Sequence, residues 1–177
     1  MSVSRLMGRA EAQEEEMVAK RTAYTIRAMT AADADTVAHF ACLFEPVSAP
    51  LIQGFDAYDV AAWIRERLAL PEWAGFVAEA EGEILGLVLC VDMAAQTCGF
   101  FLPMTKETAY LVHLAVDPAF QGRGIGRALI ASCEEQARRW GRSALLLATQ
   151  GRGSGLGLYR RLGFERLGSQ VLLAKRL

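Results

Sequence analysis

Gln121-Gly122-Arg123-Gly124-Ile125-Gly126 follows a strongly apolar run, Tyr110 to Val116, and opens an amphipathic stretch that extends to about Trp140. The local order this predicts is strand, glycine turn, helix. Three glycines remove Cβ atoms where successive backbone N–H groups converge, and the helix beginning there adds its unpaired N–H groups and the positive end of its dipole. Such a turn binds an anion, phosphate above all. The spacing then chooses among phosphate loops. A G-x-G-x-x-G fingerprint starting at Gly122 or Gly124 requires glycine where the chain has Arg127 or Leu129. The G-x-x-x-x-G-K-[ST] loop fails as well, because no Gly-Lys pair occurs in the chain.

What remains is Q-x-x-G-x-G after a strand that ends Leu114-Ala115-Val116-Asp117-Pro118. It resembles the acetyl-CoA pyrophosphate loop of the GCN5-related N-acetyltransferases, the GNAT family. A second stretch, Leu158-Tyr159-Arg160-Arg161-Leu162-Gly163-Phe164, is similar to the tyrosine and Gly-Phe pattern that family carries near its C-terminus. The two stand in the family's order with a strand between them. The resemblance covers about Tyr24 to Leu177. It implies a single N-acetyltransferase domain over residues 23–177, behind a polar tail or peripheral helix over residues 1–22. The implied fold is α/β (α+β), the GNAT acyl-CoA N-acyltransferase fold: a mixed, mostly antiparallel central sheet of six to seven strands flanked by about four helices.

Length and composition agree with a folded domain. At 177 residues, 53% hydrophobic and 22% charged, the chain is large enough for one core. The longest apolar stretches, such as Ile84 to Val91, are far shorter than the roughly 20 residues of a membrane span, so no membrane partner is expected. Residues 1–22 lack the apolar core of a secretory signal. Cys42, Cys90, Cys98 and Cys133 form no C-x-x-C pair and meet no histidine cluster, which argues against a metal and for a reducing, cytoplasmic setting. Their expected role is that of small buried hydrophobes.

Charge is distributed unevenly. Residues 1–120 carry a net −9 and residues 121–177 a net +8. A basic C-terminal half suits the phosphates of coenzyme A, and an acidic N-terminal half draws a cationic amine. Nucleic acid, the competing polyanion, is not expected, since no recognisable nucleic-acid motif interleaves the basic residues with aromatics.

Along the chain, Tyr24 to Arg27 alternates as a first strand, and Thr30 with Asp33 three residues on caps a helix whose face is Val37, Phe40, Ala41 and Phe44. A second helix is expected from about Asp56 to Leu70, with a stripe of Val60, Trp63, Ile64 and Leu68. Gly75 to Ala80 and Glu83 to Asp92 read as a hairpin turned at Glu81-Gly82. Met93 to Glu107 is a long apolar connection to the central strand, Thr108 to Val116. Ile125, Leu129, Cys133 and Ala137 form the buried stripe of the next helix, which Gly141 ends. Ser143 to Ala148 reads as a buried strand, Gly151 to Gly157 as a flexible loop, and Leu158 to Leu162 as a short helix closed by Gly163. Phe164 to Leu167 and Val171 to Lys175 make a last hairpin around Gly168-Ser169.

The resemblance implies transfer of acetyl from acetyl-CoA to a primary amine by direct attack, without a metal. It assigns pantetheine to backbone groups of Leu114, Ala115 and Val116. The pyrophosphate falls to Gln121, Gly122, Arg123, Gly124, Ile125, Gly126, Arg127 and Ala128, with Arg152 as a further phosphate contact. It assigns the departing thiolate to Tyr159. Many relatives carry a catalytic glutamate at the position of Tyr110, so the base is open among Tyr110's site, His113 and a water chain ending on Glu107 or a backbone carbonyl. Strand alternation sets His113 opposite Tyr110, Val112 and Leu114 unless the bulge expected late in the strand turns it. Arg152 and Gly155 stand where the family pattern usually has asparagine and alanine. The loop holding Leu51, Ile52 and Phe55 suits an acceptor with an apolar flank, either a small molecule or the N-terminus or lysine of a peptide or protein. A homodimer is left open. The alternative reading is a non-catalytic acyl-CoA-binding sensor or partner module.

Overall fold

A computed structural model of the chain describes residues 23–44, 57–94, 107–149 and 154–166. The expectations for residues 1–22, the Leu51-Ile52-Phe55 loop, Arg152, most of the Met93–Glu107 connection and the Gly168-Ser169 turn fall outside them. The chain divides into two compact units, Met1–Leu147 and Ala148–Leu177, each taken by itself below.

In the first unit the backbone runs β1 (Thr25–Ala28), a 3-10 turn (Ala31–Asp33), α1 (Ala34–Phe44), α2 (Ala57–Leu68), β2 (Trp73–Ala80), β3 (Glu83–Asp92), β4 (Thr108–Val116), a second 3-10 turn (Pro118–Phe120), α3 (Ile125–Arg139) and β5 (Ala144–Leu147). The five strands lie in chain order, β1-β2-β3-β4-β5. Every pair is antiparallel except β4 with β5. Local chemistry sets the boundaries. Thr30 precedes the first turn with its N–H and hydroxyl both donating to Asp33 Oδ2 at 2.8 Å, the capping arrangement that its spacing predicts. Glu81 and Gly82 take positive φ, 52° and 83°, as the two-residue turn of a twisted hairpin requires. Past α3, Gly141 at φ 74° reverses the chain.

Two apolar layers cover the sheet. On one face Val77, Leu87, Leu89 and Ala115 cluster with Met29 and with Val37 and Phe40 of α1 and Ala61 and Ile64 of α2. Trp63 acts as a core anchor, packing against this cluster and meeting Trp73 edge-on at 5.3 Å. The other face is covered by α3, whose Leu129, Ile130 and Cys133 are fully buried. Its expected stripe, Ile125, Leu129, Cys133 and Ala137, is buried throughout. Both Glu134–Arg138 and Glu135–Arg139 form on its wet side. Cys90 and Cys133 are buried free thiols; Cys42 and Cys98 fall outside the described side chains.

The second unit contributes α4 (Ser154–Arg161), closed by Gly163 at φ 86°. Three boundaries differ from the sequence expectation. β5 is half-buried to exposed rather than buried, because among the described residues only β4 pairs with it. The helix of the second unit starts at Ser154, inside the run expected to be a loop. Phe164 to Arg166 forms no strand, so five strands rather than six or seven are present among the described residues; Val171 to Lys175 lies outside them.

Candidate active site

β4 carries the irregularity on which the site depends. Its register against β3 runs Asp92↔Ala109, Val91↔Tyr110 and Cys90↔Leu111, then passes to Leu89↔His113, leaving Val112 unmatched. That is a β-bulge, one extra residue on β4. Leu87, Leu89 and Val91 alternate onto one face of β3, so their partners Ala115, His113 and Tyr110 share it. Uninterrupted alternation would put His113 on the opposite face from Tyr110. The bulge brings the two onto one face.

The bulge also marks where β4 parts from β5. Their ladder spans Thr108↔Ala144 to Leu111↔Leu147 and stops there. Among the described residues the ladder does not extend to Leu114 or Ala115, and Val112 at the bulge is 37% exposed. A strand edge beyond the end of its ladder offers N–H and C=O groups to an extended, amide-bearing ligand.

The glycine loop follows at once. Asp117 N–H donates to Leu85 O at 2.9 Å, and Asp117 Oδ1 accepts from Ala119 N–H at 2.8 Å, fixing the strand's exit. Gln121 uses its side-chain amide locally, donating from Nε2 to Val116 O at 3.0 Å, so it braces the loop against the end of β4. Gly122 and Gly124 take φ of 77° and 87°, in the region that favours glycine. Gly124 is the N-cap of α3 with no side-chain cap, and the first helical bond runs from Ala128 N–H to Gly124 O at 3.0 Å. The N–H groups of Ile125, Gly126 and Arg127 have no intrahelical acceptor. Ile125 is 2% exposed and anchors the turn, whereas Gly122, Arg123, Gly124 and Arg127 are exposed. The Arg123 guanidinium lies 5.2 Å from the Phe120 ring centroid.

One residue that sequence reading passed over holds these parts in place. A Cβ on Gly86 of β3 would lie 2.9 Å from Ala115 O and 3.3 Å from both Ile125 Cγ2 and Leu129 Cδ1. Only glycine lets the first turn of α3 sit this close to β3 and β4. A glycine inside an apolar strand was the available signal.

In the second unit Tyr159 is half-buried on α4, and burial pushes the pKa of its hydroxyl up. Its ring meets Phe164 edge-on at 5.6 Å. It also covers Gly155, where a Cβ would approach Tyr159 Cε2 to 3.3 Å. The Arg161 guanidinium lies over Gly157, where a Cβ would meet Nη1 at 3.4 Å, an ordinary contact. Among the described residues no group of three His, Cys, Asp or Glu is placed to hold a metal ion.

Comparison with known proteins bears on this arrangement. The model of the acetyltransferase (GNAT) family matches residues 40–164. An uncharacterised N-acetyltransferase of Methanocaldococcus jannaschii is 34% identical over 151 residues, covering 80% of this chain and 61% of its own length. The N-alpha-acetyltransferase RimI of Mycobacterium tuberculosis is 35% identical over 153 residues, covering 86% of this chain and 85% of its own. Among solved structures, the aminoglycoside N-acetyltransferase AAC(6')-Iy in complex with CoA superposes with a TM-score of 0.68 over 88% of this chain and 96% of that one. At 20% identity, that likeness is one of fold.

Proposed function

Because the chain belongs to the GNAT family of acetyltransferases, we propose that residues 23–177 act as one domain that moves acetyl from acetyl-CoA to a primary amine. The observation that carries this reading is the stretch of β4 at Leu114 and Ala115, beyond the end of its ladder with β5, running directly into an uncapped, glycine-lined helix start. The two halves of the donor fit these parts. Its pantetheine arm bears amides that pair with a strand edge at Leu114, Ala115 and Val116, and its diphosphate takes the loop N–H groups up to Ala128. No metal is required by this donor set.

The residues then divide the work. Strand and loop hold the thioester carbonyl still, which lowers the barrier by several kcal/mol through orientation alone. A backbone N–H near the bulge supplies the oxyanion donor. The amine nitrogen bonds to the carbonyl carbon, the C–S bond breaks, and Tyr159 protonates the leaving sulfur through its hydroxyl. His113, which shares a face with Tyr110, takes the proton that the amine releases.

The acceptor follows from what β4 lacks. Tyr110 stands where many relatives carry glutamate, so β4, Thr108–Val116, itself supplies no carboxylate to deprotonate a lysine ε-amine near pKa ~10.4. An α-amine near ~8 is already largely neutral in mildly alkaline solution. The preferred acceptor is therefore a peptide or protein N-terminus, or a small amine of similarly low pKa. The likeness to an N-alpha-acetyltransferase supports this choice. Thiol release measured at pH 7.5 on matched peptides with a free or blocked N-terminus tests it. Activity should vanish when the α-amine is blocked; equal rates on internal lysine would overturn it. Saturable coenzyme A binding without turnover on any amine would turn the reading toward a sensor.

A further inference from the structure

Tyr24, the residue before β1, brings its hydroxyl to the start of α3. A Cβ built on Gly124 would lie 3.6 Å from Tyr24 Oη, and among the described residues no other atom from beyond the loop and its helix comes within 4 Å of that point. Tyr24 is half-buried, while Gly122, Arg123 and Gly124 around the mouth of the loop are exposed. α3 reaches across the sheet as far as β1, which is what lets a residue so distant in sequence meet its first turn. Position 124 thus combines a left-handed backbone with a phenolic oxygen at ordinary contact distance.

Resting on the reading of this loop as a diphosphate cradle, we propose that Tyr24 is a binding residue of the same subsite, its Oη donating a hydrogen bond to a phosphate oxygen. The uncapped N–H groups of Ile125, Gly126 and Arg127 approach an anion from the helix axis only. A phosphate oxygen carries lone pairs beyond those a single N–H can satisfy, and a hydroxyl donor from the β1 side meets one of them. The bond is charge-assisted, the stronger class of hydrogen bond. It acts on the diphosphate and not on the thioester, so it concerns donor affinity rather than the chemical step.

The test uses the full chain and compares wild type, Tyr24→Phe and Gly124→Val by calorimetry with coenzyme A, and by turnover with acetyl-CoA and with acetyl-pantetheine, which lacks the diphosphate. Tyr24→Phe keeps the ring, so its melting temperature should match wild type. It should weaken coenzyme A binding about tenfold, as loss of one hydrogen bond to a charged group does. It should raise KM for acetyl-CoA by a similar factor at constant kcat, and leave kcat/KM for acetyl-pantetheine unchanged. Unaltered coenzyme A affinity in Tyr24→Phe, alongside weakened binding in Gly124→Val, would overturn the assignment of Tyr24 and leave the loop reading standing. An equal loss with acetyl-pantetheine would also overturn it, by making the effect structural. Absence of coenzyme A binding by wild type, or full affinity in Gly124→Val, would instead sink the loop reading.

Discussion

Tyr159 and Gly155 show how one contact ties a backbone choice to chemistry. A Cβ on residue 155 would stand 3.3 Å from Tyr159 Cε2, so the usual alanine of the family pattern would crowd the ring. Tyr159→Phe should lower kcat roughly 10²- to 10⁴-fold while leaving coenzyme A affinity nearly intact, the range of a lost proton donor; thiol-release kinetics beside calorimetry separates the two. Burial raises the pKa of the Tyr159 hydroxyl above its ordinary value near ~10. The proton is therefore present throughout neutral and mildly alkaline solution. A pH–rate profile should show no alkaline loss attributable to Tyr159 below about pH 10. A limb near pH 8 that disappears in Tyr159→Phe would contradict its role. The place of Tyr159 on a short helix closed by Gly163 was legible from its local pattern, whereas the partner of Gln121 was not. Its side chain braces Val116 O, a partner that spacing alone does not name.

At the scale of elements, the proposed donor site rests on the packing of β3, β4 and α3. Gly86→Ala would push a methyl group against Ala115 O and the first turn of α3, and neither backbone carbonyl nor helix can yield cheaply. Its expected signature is a rise in KM for acetyl-CoA with a stability loss of about 1–3 kcal/mol, read by kinetics and denaturant titration. The junction of β1 with α1 offers a pH test. Arg27 donates to Asp33 from Nη1 and Nη2 at 2.8 Å and to Glu79 from Nε at 2.6 Å. The bonds from Arg27 hold the Asp33 carboxyl well below the usual carboxylate range, against the opposing effect of its burial. A depressed folded-state pKa stabilises above the unfolded value near ~3.9 and is lost as pH falls below it. Arg27 is partly exposed, so solvent screens the pair. Asp33→Asn keeps an oxygen that accepts from Thr30 and removes the charge paired with Arg27, so it should cost up to about 1 kcal/mol at neutral pH, and the gap from wild type should close as pH falls from 4 toward 2; urea melts across that range would measure it.

For the whole molecule, stability comes from the two layers on the sheet. Leu87 faces α1 and α2, Leu129 belongs to α3, and both are fully buried. Either residue changed to alanine should lose roughly 2–5 kcal/mol, measurable by chemical denaturation. Only Leu129→Ala lies under the phosphate loop, so it should weaken coenzyme A binding as well. Hydrophobic period, glycine placement and capping are local properties, and from them the strands of the hairpin, the central strand, α1, α2 and α3 could be read nearly to the residue. The loop motif likewise carried the family. Tertiary structure alone decided the rest, because each remaining feature is a meeting of residues far apart in sequence. The bulge at Val112 exists only against the register of β3 and turns His113 to the face of Tyr110. Among the described residues, the stretch of β4 at Leu114 and Ala115 lies beyond its ladder with β5, which ends at Leu147. Gly86 under α3 and Tyr24 beside Gly124 are contacts made when helix and sheet pack, and no periodicity within a single segment encodes them.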